Sequence, residues 1–116
     1  MILNNDNLIR MYLIKCGISP KKSGFRYSYD LIKLALEGES IYPLVTRGYC
    51  VLSLKYQKSL YTIDKCIQNA VAGAFDKHND FLYEQFGGCL NEKTGKLSNK
   101  QFLSIILDKF VLFSEC

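Results

Sequence analysis

Hydrophobic and polar positions divide the chain into stretches of helical period separated by short polar interruptions. The clearest stretch runs from Leu60 to Lys77. There Ile63, Cys66, Ile67, Ala70, Val71, Ala74 and Phe75 recur at i, i+3, i+4 and i+7 spacing for about four turns. Ser59 stands before it as a suitable N-cap, since its hydroxyl can accept from an early backbone N–H. The opposite side carries Tyr61, Thr62, Lys65, Gln68, Asn69 and Ala72, a face that is polar but lightly charged. Most of these side chains are of the kinds that hydrogen-bond to base edges.

Other helices follow from the same period. A first is expected from about Asn7 to Lys15, stopped by Cys16-Gly17 and by Ser19-Pro20. A second starts near Phe25, with Tyr29, Leu31, Ile32, Ala35 and Leu36 at helical spacing, and ends at Glu37-Gly38. A third follows Ser40, with Pro43 in its first turn and Leu44, Val45, Gly48, Tyr49, Leu52 and Tyr56 on its buried side. A short helix is expected over Asp80–Phe86, then a loop from Cys89 to Leu97. The last helix starts at a capping box, Ser98-x-x-Gln101, and continues through Phe102, Ile105, Ile106, Phe110 and Phe113. The expected fold is all-α: a compact bundle of five or six helices in a single domain spanning 1–116.

Composition narrows the function. The 116 residues are 48% hydrophobic, enough for a real core, and no run approaches the ~20 apolar residues that cross a bilayer. The N-terminus lacks a basic start followed by an apolar stretch, so a cytoplasmic location is expected. Cysteines at 16, 50, 66, 89 and 116 are odd in number and irregularly spaced, and His78 is the only histidine. Free thiols without metal or other cofactor are therefore expected. A Cys–His or Ser–His pair would have to use His78, and the carboxylates are scattered among lysines, so no catalytic constellation assembles. An enzyme is not expected.

The net charge of +4 is unevenly placed. Residues 1–77 hold 11 Lys/Arg against 6 Asp/Glu, and residues 78–116 hold 4 against 5. A basic N-terminal two-thirds suits attraction to phosphates. The stretches 47–58 and 60–77 divide as a helix-turn-helix does, one helix bracing on the duplex backbone and the other entering the major groove. On this reading Arg47, Lys55 and Lys58 meet phosphates. Gln68 and Asn69 suit adenine edges and Lys65 suits guanine acceptors, with Tyr61 and Thr62 on the same face.

Several segments, taken in order, resemble the C-terminal effector domain of the stage-zero sporulation transcription factor A. They are Ile14-Lys15-Cys16-Gly17-Ile18-Ser19-Pro20, Gly24-Phe25-Arg26-Tyr27, Tyr42-Pro43-Leu44-Val45-Thr46, Ile63-Asp64-Lys65-Cys66-Ile67-Gln68-Asn69-Ala70-Val71, Phe86-Gly87-Gly88 and Leu97-Ser98-Asn99-Lys100-Gln101-Phe102. The resemblance implies six helices, a helix-turn-helix at about 45–77, and binding to short promoter boxes on double-stranded DNA, in tandem or as a homodimer. It adds Asp64 to the base-reading residues, because the family's Glu-Arg pair falls on Asp64-Lys65. A further family Arg falls on Gln68, and the turn near Lys58–Thr62 is about one residue shorter. A single Lys charge in place of a bidentate Arg fork should change the preferred bases or weaken reading. No phosphoacceptor receiver domain is expected ahead of the domain. Two readings stay open: a sequence-specific transcription regulator, and a protein-interaction module of the same fold that has lost DNA reading.

Overall fold

The computed structural model describes residues 5–77, 79–90 and 97–114. Its elements are α1 (Asn5–Lys15), α2 (Ser23–Leu36), a π-helical turn (Leu44–Gly48), α3 (Tyr49–Tyr56), α4 (Leu60–Asp76), α5 (Asp80–Phe86), a 3-10 turn (Gly87–Cys89) and α6 (Asn99–Ser114). Six helices and no strand stand among the described residues, the all-α bundle expected from the helical period. The radius of gyration of 13.7 Å fits the roughly 13 Å of a compact chain of about 100 residues.

Helix ends follow local chemistry. At the end of α1, Gly17 takes φ +92°, and its N–H reaches Ile14 O (2.9 Å) while Ile18 N–H reaches Leu13 O (3.1 Å). This is a Schellman closure, sealed by the buried side chains of Leu13 and Ile18. Gly38 closes α2 in the same way. The expected capping box opens α6: Gln101 N–H donates to Ser98 Oγ (3.1 Å), and Ser98 N–H reaches Gln101 Oε1 (3.4 Å). Asn79 caps α5 through Leu82 N–H (3.1 Å) and also donates to Lys15 O (2.7 Å), which ties α5 to the end of α1.

α2 is the central helix and packs on α1, α4 and α6. It meets α4 at Gly24, where an added Cβ would stand 2.3 Å from Cys66 O and 2.7 Å from Ala70 Cβ, so the two backbones approach as only glycine permits. The core is one cluster, with Leu31, Leu52, Ile67, Leu82, Phe102 and Ile106 fully buried. Phe86 stacks on Phe102 at 5.2 Å, joining α5 to α6.

The region expected as a third helix departs most from its sequence pattern. Its first part is a π-helical turn behind a cis Tyr42–Pro43 bond, and the α-helix begins only at Tyr49. Leu44, Gly48, Tyr49 and Leu52 are buried as expected, Tyr56 is half-buried, and Val45 is 52% exposed. The wider turn accounts for Val45: Gly48 N–H bonds to Ile41 O (3.2 Å), which brings Leu44 and Gly48 inward and leaves Val45 on the outer side. His78, Cys116 and most of the expected loop from Cys89 to Leu97 lie outside the described residues.

Candidate nucleic-acid interface

α4 begins at a well-made cap. Thr62 N–H donates to Ser59 Oγ (3.0 Å), and the Ser59 hydroxyl donates in turn to Thr62 Oγ1 (2.8 Å). Its inner face buries Ile63, Ile67, Ala70, Val71 and Ala74 against α2, α3 and α6. The 3.6-residue period then leaves Tyr61, Lys65, Gln68 and Asn69 on the outer face, and all four are exposed. Three of them form a row. Lys65 Nζ lies 6.0 Å from the Tyr61 ring centre and donates to Gln68 Oε1 at 3.4 Å. Thr62 is half-buried and spends its hydroxyl on the cap.

Asp64 is placed differently from these neighbours. Its Oδ1 accepts the Tyr49 hydroxyl (2.7 Å) and Asn99 Nδ2 (3.1 Å). Asn99 Nδ2 also lies 3.0 Å from the Asp64 carbonyl oxygen and 3.2 Å from the Tyr49 hydroxyl. Burial raises the Tyr49 hydroxyl pKa above its ordinary value; the bond from Asn99 opposes that rise and the Asp64 carboxylate adds to it. The side-chain oxygen of Asn99, Oδ1, is buried without a hydrogen-bond partner. Alongside this group runs an open groove of about 440 Å³, bordered by Pro43–Val45, Gln68 and Leu97–Lys100.

The three basic residues expected at phosphates separate as well. Arg47, in the π-helical turn, and Lys58, just before α4, are exposed, and neither pairs with a carboxylate among the described residues. Lys55 is exposed but pairs with Asp30 of α2 at 3.2 Å. The Tyr56 hydroxyl also donates to Asp30. The hydrogen bond that Lys55 donates to Asp30 raises the Lys55 pKa. These bonds join α3 to α2.

Tyr49 and Asn99 are the residues that sequence reasoning did not attach to the site. Tyr49 read as core, and Asn99 as the start of the capped last helix. Among the described residues no three His, Cys, Asp or Glu side chains gather to hold a metal ion, and Cys16, Cys50 and Cys66 carry free thiols. No helix among them is long and apolar enough to cross a membrane.

Fold and site together define a class: a helical domain whose 17-residue α4 turns an apolar face to the core and a polar row to solvent. The family described as sporulation initiation factor Spo0A C terminal matches residues 9–110, and the chain belongs to that family. It is a family of DNA-binding domains in transcription regulation and sporulation, not of enzymes. No solved structure matches the chain.

Proposed function

We propose that this chain binds double-stranded DNA sequence-specifically as a sporulation-type transcription regulator, with α3 and α4 acting as a helix-turn-helix and α4 entering the major groove. The observation that carries the reading is the exposed row Tyr61–Lys65–Gln68 with Asn69 beside it, on a helix whose other face is anchored in the core. The turn 57–59 between the helices is short enough for such a motif. Lys65, Gln68 and Asn69 supply the donors and acceptors for base edges, and Tyr61 and Thr62 flank them. Arg47 and Lys58 are the basic side chains available to phosphates; Lys55, held by Asp30, contributes less. Promoter boxes are the partner, met in tandem or as a homodimer, and the protein acts in the cytoplasm without a membrane.

A titration of labelled promoter fragments at two salt concentrations tests the reading. It predicts a preference for particular fragments and an affinity that falls steeply with salt. Equal binding to all fragments, or none at low salt, contradicts it. One observation favours a second reading, a protein-interaction module: Leu54 is 84% exposed on α3, with Val51 (45%) one turn earlier and Val45 beyond it. Under that reading DNA is not selected, and Leu54→Asp abolishes association with a protein partner.

A further inference from the structure

We infer that Asp64 does not read bases but sets the pose of the helix that does, by holding α4 to Tyr49 of α3 and Asn99 of α6 through a shared carboxylate oxygen. The inference rests on the proposed DNA reading for its consequence, but the clamp itself rests only on geometry. By period alone Asp64 belongs to the outer row, three residues after Tyr61 and four before Gln68. Yet its Oδ1 accepts two donors from inside the protein, Tyr49 at 2.7 Å and Asn99 at 3.1 Å. With Oδ1 filled by these two donors, the carboxylate is held turned towards Tyr49 and Asn99 rather than along the Lys65–Gln68 row. Hydrogen bonds to an ionised acceptor are among the stronger ones, so this commitment is hard to displace.

The clamp has the right place to govern reading. Asn99 is only 8% exposed and also bonds the Asp64 main-chain oxygen at 3.0 Å, so it holds the α4 backbone as well as the side chain. Tyr49 is 1% exposed. Neither can touch DNA from where it stands. The residue after Asp64 is Lys65, and Gln68 lies one turn further on. Rotation or sliding of α4 at Asp64 therefore re-aims both reading side chains together. A bidentate or paired contact to a base edge tolerates little misplacement, so the loss should spread over several base positions.

The experiment uses the full chain and a randomised duplex pool, from which wild type selects a preferred duplex. Single-base substitutions of that duplex are then titrated against each variant. Tyr49→Phe and Asp64→Ala are expected to lose about tenfold in affinity and to flatten preference at several positions at once, with the salt slope unchanged. Asp64→Asn keeps an acceptor at Oδ1 and should recover the pattern that Asp64→Ala loses. A change of preference at one base position in the Asp64 variants, with Tyr49→Phe like wild type, makes Asp64 a direct reader and overturns the inference. Amide hydrogen exchange without DNA decides the clamp separately. Exchange over residues 60–68 should quicken in Tyr49→Phe and Asp64→Ala and stay unchanged in Lys65→Ala. Unchanged exchange in Tyr49→Phe overturns the clamp whatever DNA does. If wild type selects no duplex while exchange quickens, the clamp stands and the DNA reading falls.

Discussion

α3 and α4 face each other across the turn 57–59, but they owe their structure to different things. α4 has 17 residues, a Ser59 cap and an apolar stripe, so its local signals and its packing agree. α3 has eight residues, no side-chain cap, and follows a π-helical turn. It ends on Gln57 at φ +55°, the only non-glycine residue with positive φ among those described. A helix so short is marginal in isolation. Its fixed points are tertiary: buried Tyr49 and Leu52, the Tyr49 bond to Asp64, and the Lys55 and Tyr56 bonds to Asp30. α4 is thus defined by its own residues, and α3 by what surrounds it.

The sharpest way to break this contrast is to empty the core under each helix. Ile67→Ala and Leu52→Ala both remove a fully buried side chain, and each should cost roughly 2–5 kcal/mol in a urea melt. The contrast predicts a difference in kind. Far-UV circular dichroism and amide exchange should show α3 lost locally in Leu52→Ala, with α4 still protected. In Ile67→Ala both helices should weaken together. Equal protection of α3 and α4 in Leu52→Ala would mean that α3 does not depend on its surroundings.

Smaller effects sharpen the comparison at the two helix ends that face each other. Gln57→Gly removes the steric penalty of a side chain in the left-handed region and should stabilise the protein by about 1 kcal/mol. Ser59→Ala removes the α4 cap and should destabilise it by about 1 kcal/mol. Differential melts of the two variants should shift in opposite directions.

A separate contrast concerns Cys16, fully buried at the end of α1, where burial pushes the thiol pKa from 9.0 up to about 12. The folded chain therefore keeps this proton to higher pH than the unfolded chain does. The contribution is fully present below pH 9 and is lost as pH rises from 9 towards 12. At about pH 8 a thiol reagent should modify Cys50 and Cys66 well before Cys16, which stays protonated. Equal rates at the three positions would contradict the burial.

Much of this was legible in the chain because it is encoded locally. The stripe from Ile63 to Phe75 and its Ser59 cap specify α4, Ser98-x-x-Gln101 marks the start of α6, and Gly17 marks the end of α1. What escaped the sequence is encoded at a distance. The π-helical turn is closed by Tyr49 N–H on Leu44 O and tied by Gly48 N–H to Ile41 O in the preceding loop, and Val45 faces outward. Lys55 meets Asp30, 25 residues away, and Asp64 meets Tyr49 and Asn99 at separations of 15 and 35. A period of 3.6 places Asp64 near the outer row, and only the partners of its carboxylate show which way it turns.

Base-by-base affinity of two classes of variant tests the central claim, that the outer row of α4 reads DNA, most directly. Lys65→Ala and Gln68→Ala should fold like wild type and lose about 1–3 kcal/mol of discrimination, each at its own base position. Arg47→Ala and Lys58→Ala should weaken binding to every duplex alike and lower the dependence on salt. If the Lys65 and Gln68 variants distinguish duplexes as well as wild type does, α4 is not the reading helix.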